Sequence, residues 1–206
     1  MMPILSTSGY AEQADDLFIR YEARDHDALY SDVVEWFPKT NASYDILDIG
    51  AGTGRDAAYF ARQGHRVLAV EPVDALRTRA AALHPETGIT WLKDSLPHLK
   101  HASATEPRFD FVMMNAVWMH FDETERRTGM RTIANLMSSG ARLFMTLRHG
   151  PVPEGRRMFD VSGDETIALA KSHGLIALHS ARKGSVQVEN KARSIEWTRL
   201  VFEKQV

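Results

Sequence analysis

The chain has 206 residues, with a hydrophobic fraction of 44% and a charged fraction of 25%, which is typical of one ordinary globular domain. A net charge of −2 gives no global positive field to concentrate nucleic acid, so we expect no nucleic-acid partner. The absence of cysteine excludes disulfides, thiolate metal ligands and a cysteine nucleophile.

The first residues, MMPILSTSGYAEQADD, have neither the basic start nor the apolar run of a signal peptide. No window approaches the ~20 consecutive apolar residues of a membrane span. We therefore expect a cytoplasmic protein without a membrane partner. The nine histidines lack the paired spacing of a metal site such as HExxH, and we predict no metal.

The N-terminal segment is predicted to be helical. Apolar residues between Tyr10 and Phe37 recur mostly at helical spacing, interrupted by the polar stretch EARDHD. This pattern predicts two helices that end at Pro38. We expect residues 10–38 to form a helical cap on a core over residues 44–206, within a single domain of residues 1–206.

Apolar runs then alternate with helical patterns. Strands are predicted at 45–50, 66–70, 89–93, 109–116 and 141–148. Helices are predicted at 53–63, 74–83 and 123–139, the last stopped by Gly140. Because continuous apolar runs are typical of parallel strands covered on both faces, the alternation predicts a doubly wound sheet with right-handed crossovers.

The C-terminal part differs. After the loop GPVPEGRR comes a helix capped by Ser162, and then two β-like segments, GLIALHSAR and SIEWTRLVFEK. The polar stretch between these segments is too short for a crossover helix, so we predict antiparallel pairing. The complete prediction is an α/β, Rossmann-like, seven-stranded sheet that is mostly parallel, with a C-terminal antiparallel hairpin and N-terminal helices.

The glycines of DIGAGTG connect the first strand to the next helix. Gly50, Gly52 and Gly54 allow positive φ and the close approach of a ligand to the backbone. Their spacing differs from the dinucleotide fingerprint, because Arg55 occupies the position of its third small residue. A cofactor without phosphates fits this turn better. Glu71 ends the second strand, where an acidic residue can bind both ribose hydroxyls, which favours a nucleoside.

The motifs ILDIGAGTG, LAVEP, LKDSLP and FDFVMMNAVWMH resemble, in order and interval, those of the class I S-adenosylmethionine-dependent methyltransferases. The resemblance covers roughly residues 40 to 150. It implies S-adenosylmethionine as the cofactor and S-adenosylhomocysteine as the product. The implied cofactor-binding positions are Asp48, Gly50, Ala51, Gly52, Gly54, Glu71, Pro72, Asp94, Ser95, Leu96 and Asn115.

Each implied position has a part of the cofactor. The glycine turn lines the methionine part, Asp48 orients its amino group, and Asn115 borders it near the reaction centre. Glu71 holds the ribose. Asp94 accepts a hydrogen bond from the adenine amino group, beside the positions that flank the ring, namely Pro72, Ser95 and Leu96.

The predicted catalytic residues are His120, Arg148 and His149, which follow the fourth and fifth strands at the edge where open α/β sheets place their sites. His120 is a candidate general base, and capping of a helix that covers the core is the competing interpretation. Arg148 and His149, with Arg156 and Arg157 of the next loop, could bind a carboxylate or phosphate of the acceptor. Solvated loop arginines are the competing interpretation.

Three aromatic residues complete the predicted substrate site with Arg156. Trp118 would pack against an aromatic or cationic substrate, and Tyr10 and Tyr21 would hydrogen-bond the substrate when the N-terminal segment closes. Core packing is the alternative for Trp118 and Tyr21.

We predict a methyltransferase that acts on a nitrogen or oxygen nucleophile of a small molecule. A protein or RNA methyltransferase is the nearest alternative. An NAD-dependent oxidoreductase and a non-catalytic S-adenosylmethionine-binding protein are the others. The acceptor's identity and the oligomeric state are left unpredicted.

Overall fold

The strands and helices of the computed structural model follow the predicted alternation over the residues that it describes, 5–104, 108–185 and 188–206. The strands are β1 (Asp45–Ile49), β2 (Arg66–Val70), β3 (Ile89–Leu92), β4 (Phe109–Met114), β5 (Met137–His149), β6 (Leu175–Gly184) and β7 (Glu196–Lys204). The α-helices are α1 (Ala14–Glu22), α2 (His26–Tyr30), α3 (Arg55–Arg62), α4 (Asp74–Leu83), α5 (Glu123–Leu136), α6 (Gly163–Lys171) and α7 (Val188–Ala192).

The strands form one seven-stranded sheet in the order β3-β2-β1-β4-β5-β7-β6. Strands β1 to β5 pair in parallel, and β7 runs antiparallel between β5 and β6. This confirms the predicted fold class, including the C-terminal hairpin. The register places Ile49 beside Val70 and Asp48 beside Met113. The residues that follow β1, β2 and β4 therefore meet at the carboxyl edge of the sheet.

Two predicted boundaries are wrong. The second N-terminal helix, expected to end at Pro38, ends at Tyr30, and a separate 3-10 turn covers Val34–Trp36. The helix expected to reach residue 139 ends at Leu136, and Met137 begins β5. Met137 is buried and pairs with Phe109, and the register shifts before Phe111 pairs with Arg142. Gly140, with φ of 75°, lies inside this irregularity. Its positive φ serves a bulge within the strand instead of the end of a helix.

The N-terminal segment packs into the core as well as over the site. Tyr30, Val33 and Phe37 are buried in one cluster with side chains of β1, β4 and β5. Leu17 and Phe18 of α1 pack on α4. This shared burial supports our proposal that the cap and the sheet form a single domain. Among the helices described, none is both long and apolar enough to cross a membrane.

Helix caps fix the elements that flank the site. Asp122 and Glu125 form a capping box at the start of α5, directly after a short 3-10 turn at Trp118–His120. Ser162 caps α6 as predicted, because its side chain accepts a hydrogen bond from the Glu165 amide. The turn that carries His120 thus leads into a helix start whose backbone hydrogen bonds are made, and this fixes the position of His120.

Candidate functional site

The turn after β1 needs its glycines. Gly50 has φ of 70°, and a Cβ there would lie 2.5 Å from Val117 Cγ2. Gly54 has φ of 88°, and a Cβ there would lie 2.6 Å from the Trp91 ring. Only glycine combines the left-handed backbone with these close approaches. The turn is held to β2 by the amides of Gly50 and Ala51, which donate to the Val70 carbonyl.

Two adjoining cavities lie at the carboxyl edge of the sheet. The smaller cavity, of about 740 Å³, is lined by residues that follow β1 to β4, among them Glu71 and Asp94. The larger cavity, of about 1570 Å³, is lined by α1, the glycine turn, the end of β5 and the loop after it. The residues common to both linings are Tyr10, Leu17, Tyr21, Gly50, Gly52, Thr53, Asn115 and Ala116.

Glu71 joins the end of β2 to the glycine turn. Its Oε2 accepts from the Gly52 amide at 2.9 Å, and its Oε1 accepts from the Val73 amide at 2.8 Å. Burial raises the pKa of Glu71 to about 7, although both amide bonds oppose that rise. Each carboxylate oxygen keeps a lone pair, so Glu71 can still accept from two hydroxyls.

Asp48 presents an unused acceptor. Its carboxylate is buried in the lining of the larger cavity, and its Oδ2 has no hydrogen-bond partner among the described residues. Burial, and next the charge of Asp56, raises the pKa of Asp48 well above its usual range. A buried acceptor of this kind requires a donor, and a cationic donor would offset the repulsion by Asp56.

Asp94 organises the loop after β3. Its Oδ1 accepts from the Ser95 amide, and its Oδ2 accepts from the amides of His101 and Ala102. Oδ1 therefore retains acceptor capacity for a ligand in the smaller cavity, which Asp94 lines. The same cavity is lined by the other predicted residues of this region, Pro72, Ser95 and Leu96.

A hydrogen-bond network holds Asn115 at the boundary between the two cavities. Its Nδ2 donates to the Tyr30 hydroxyl at 2.9 Å, and its Oδ1 accepts from Thr146 Oγ1 at 2.8 Å. The Tyr30 hydroxyl donates to Asp56, which also forms a two-point ion pair with Arg55. The side chain of Asn115 is thus fixed from both sides.

Tyr30, Thr146 and the Arg55–Asp56 pair were missed as site residues in the sequence. Their only signal was Arg55 at the third position of the fingerprint, which we interpreted solely as a departure from the dinucleotide-binding pattern. In the structure, Arg55 pairs with Asp56 and also donates to the Tyr30 hydroxyl, so the pair helps to hold Tyr30 in place.

His120 is buried with a defined tautomer. Its Nδ1 lies 2.7 Å from the Arg157 carbonyl, which can only accept, so Nδ1 carries the proton. Nε2 therefore has the lone pair and accepts from the Tyr10 hydroxyl at 2.9 Å. Burial lowers the pKa of His120, and the charge of Arg156 also lowers it, which favours the neutral imidazole. Tyr10 and His120 both line the smaller cavity.

Arg148, Arg156 and Tyr21, which were predicted as site residues, are in the lining of the larger cavity. The Arg156 guanidinium lies 3.4 Å from the centroid of the Tyr10 ring, and its Nη2 donates to Gln13. Arg157 lines neither cavity and has a structural role instead. It donates to the His120 carbonyl and pairs with Asp122 and Glu125, so it anchors the 3-10 turn.

Besides Arg157, three predicted residues line neither cavity. Trp118 is 1% exposed and packs in the core against Gly129, which leaves room for the indole ring. His149 is buried beside Thr198, because successive side chains of β5 point to opposite faces and Arg148 takes the cavity face. Gly54 faces Trp91 and His84 and allows close packing of α3. We therefore withdraw these three residues from the candidate site.

Comparison with known proteins places these features in a family context. A family described as a methyltransferase domain matches residues 46–140. An uncharacterised methyltransferase from Bacillus pumilus is 24% identical over 144 residues, which is 67% of this chain and 58% of that protein. The match thus spans less than two thirds of this curated relative.

Solved structures share the fold over nearly the whole chain. A magnesium protoporphyrin IX methyltransferase from Synechocystis with bound S-adenosylmethionine has a TM-score of 0.70 at 14% identity, covering 95% of this chain and 93% of its own. A 1,6-didemethyltoxoflavin-N1-methyltransferase from Burkholderia thailandensis, with its substrate and S-adenosylhomocysteine bound, has 0.64 at 21%, covering 95% and 88%. A TehB-like methyltransferase from Corynebacterium glutamicum has 0.66 at 22%, covering 95% and 96%. At these identities the likeness establishes the fold.

Proposed function

We propose that this chain, a member of the class I S-adenosylmethionine-dependent methyltransferase superfamily, transfers a methyl group from S-adenosylmethionine to a nitrogen or oxygen nucleophile of a small molecule. The observation that carries the proposal is the buried Oδ2 of Asp48, which has no hydrogen-bond partner in the described part of the chain and lies beside a glycine turn that Glu71 binds from the other side. We place the reaction in the cytoplasm, as predicted from the sequence.

The residues of the two cavities fit this cofactor. Asp48 would accept from the methionine ammonium, which supplies a cationic donor for the Oδ2 that has no hydrogen-bond partner among the described residues. Glu71 would accept from the ribose hydroxyls with its remaining lone pairs. Asp94, with Leu96 beside it, would hold the adenine in the smaller cavity. The bare backbone of Gly50 and Gly52 lets the cofactor approach the turn closely.

S-adenosylmethionine supplies an activated methyl group, which bonds to a lone pair of the acceptor as the carbon–sulfur bond breaks and its electrons stay on sulfur. The chain contributes positioning. Asn115, fixed by Tyr30 and Thr146, borders both cavities and marks where cofactor and acceptor would meet. Proximity and orientation of this kind lower the barrier by as much as about 7 to 11 kcal/mol.

His120 would take the proton of an acceptor that carries one. Its Nε2 lone pair is defined by the bond from Nδ1 to the Arg157 carbonyl, and its lowered pKa keeps it available near neutral pH. Without an acceptor in the site, the Tyr10 hydroxyl donates to Nε2. The acceptor would either displace Tyr10 from Nε2 or pass its proton to Nε2 through the Tyr10 hydroxyl.

A small molecule is favoured over a polymer by the arrangement of the cavities. The larger cavity is lined by α1 and Tyr10 as well as by the sheet edge, so the acceptor would bind in a concave site between them. Two of the similar structures belong to enzymes named for small-molecule acceptors, 1,6-didemethyltoxoflavin and magnesium protoporphyrin IX.

Calorimetric titration with S-adenosylmethionine, S-adenosylhomocysteine and NAD tests the proposal. We expect binding of the two sulfur nucleosides and not of NAD. Replacing Glu71 by alanine removes the ribose bonds and should weaken binding by about 1 to 3 kcal/mol. The matched control Glu35→Ala removes an exposed carboxylate outside both linings and should change nothing. Binding of NAD alone would overturn the proposal.

A further inference from the structure

The larger cavity has an excess of positive charge. Its carboxylates are Asp48 and Asp56, whereas its cations are Lys183 and seven arginines. The chain as a whole carries a net charge of −2, so this local imbalance does not follow from composition. A partly enclosed cavity with a surplus of cations attracts an anion.

Internal ion pairs account for only part of these cations. Arg55 pairs with Asp56, and both Lys183 and Arg199 pair with Asp32. Such pairs are structural, because the carboxylate already satisfies the cation. They do not explain the arginines on the side of the cavity that faces Tyr10.

Arg148 and Arg156 have no carboxylate partner within the described part of the chain. The Nη1 of Arg156 is buried and makes no hydrogen bond there, while its Nη2 is bound only by the amide oxygen of Gln13. Arg148 donates one long hydrogen bond, at 3.4 Å, to the Gly150 carbonyl. Burial lowers the pKa of Arg148, and the nearby charge of Arg193 lowers it further. Arg148 is thus partly desolvated, and neither guanidinium group has a counter-charge among the described residues.

The two arginines flank the residues that we assign to the reaction. Both exert their charge on Tyr10 and on His120. The Tyr10 ring lies directly against Arg156, which limits the orientations of that guanidinium. An anion bound to Arg148 and Arg156 in the larger cavity would therefore direct the rest of the acceptor towards Asn115, which lines both cavities, and towards the Nε2 of His120 in the smaller cavity.

Building on the proposed function, we propose that the acceptor carries a carboxylate or phosphate group, which Arg148 and Arg156 bind in the larger cavity. A planar guanidinium matches either group through two parallel hydrogen bonds, and two such groups give both charge and orientation. The buried Nη1 of Arg156 gains the partner that it lacks.

The test is calorimetric titration of the protein, saturated with S-adenosylhomocysteine, with three probes of one shape: 2-naphthoate, 2-naphthyl phosphate and the neutral 2-naphthamide. We expect at least one anion to bind about tenfold or more tightly than the amide, as charge-assisted bonds to arginine predict. The two anionic probes distinguish a carboxylate acceptor from a phosphate acceptor.

Three variants link the preference to the named residues. Arg148→Gln and Arg156→Gln should each lower affinity for the preferred anion by about tenfold, with little change for the amide. Arg131→Gln, an exposed change on α5 outside both cavities, is the matched control and should leave all three affinities unchanged. Unchanged affinity for S-adenosylhomocysteine in each variant confirms that the cofactor half of the site is folded.

Failure of this inference is distinguishable from failure of the proposed function. Equal binding of the amide and both anions, or an anion preference that survives both arginine variants, overturns the anionic acceptor while S-adenosylhomocysteine still binds. Lack of S-adenosylhomocysteine binding to the unmodified protein overturns the methyltransferase proposal itself.

Discussion

The buried carboxyl of Glu71 should make cofactor affinity depend on pH. Its pKa is raised by burial to about 7, so the free protein holds Glu71 largely protonated at pH 6. Ribose hydroxyls bind best to the ionised carboxylate, because only then do both oxygens accept freely. Binding should therefore release a proton below pH 7, and affinity should rise with pH and level off above it.

The size of this effect follows from that pKa. At pH 6, one unit below a pKa of about 7, only about one tenth of Glu71 is ionised, so affinity should be about tenfold below its plateau. A glutamate at the ordinary value of 4.5 would be almost fully ionised at pH 6 and would give nearly no dependence. The two cases are readily separated by calorimetry between pH 5.5 and 8.5.

Asp48 complicates the measurement and also provides a control. Burial raises its pKa as well, so part of the pH dependence of S-adenosylhomocysteine binding would come from its contact with the ammonium group. 5′-Methylthioadenosine has the ribose and adenine but no amino acid, so its affinity reports Glu71 without that contact. We expect Glu71→Gln to flatten the profile of this ligand and Asp48→Asn to leave it sloped. A flat profile in the unmodified protein would refute the reasoning.

Three further predictions address the residues around the site. The His120 imidazole should titrate below pH 6.5 and show a proton on Nδ1 by ¹⁵N NMR, since burial lowers its pKa; an ordinary titration would contradict this. Arg157→Met should lower the free energy of unfolding by about 1 to 3 kcal/mol, because Asp122, Glu125 and the His120 carbonyl lose their donor. Arg127→Met, which breaks an exposed ion pair with Glu123 on α5, should lower the free energy of unfolding by no more than about 0.5 kcal/mol in the same denaturation assay. Trp118→Phe should lower stability by about 1 to 3 kcal/mol but leave S-adenosylhomocysteine affinity within about twofold, and a large loss of affinity would return Trp118 to the site.

The parts of the fold that follow from local rules were predictable from the sequence. Apolar runs gave the strands, and the Ser162 cap gave the start of α6 within one turn. Gly140 shows where a local rule becomes ambiguous. A positive φ ends a helix or permits a bulge equally well, and only the pairing of Met137 with Phe109 across the sheet selects the bulge.

The errors in the site have a related cause. A sequence pattern can predict that a residue lies at the edge of a sheet, but it does not predict on which face of the sheet the side chain lies. Arg148 and His149 are adjacent, and alternation sends one into the larger cavity and the other towards Thr198. Tyr30 was missed because its partner Asn115 lies 85 residues away, and no spacing rule joins them.

The contrast between local rules and long-range contacts explains why the cofactor could be inferred from the sequence while the acceptor could not. The predicted cofactor contacts come from turns after successive parallel strands, so motif order and spacing along the chain reflect their positions in space. The acceptor side combines Tyr10, from before the sheet, with Asn115 in its middle and Arg156 in a loop after β5. None of these three is informative alone. With Arg148 and His120, they place two guanidinium groups that have no carboxylate partner among the described residues near a neutral imidazole. That juxtaposition identifies an anion as the substrate group to test first.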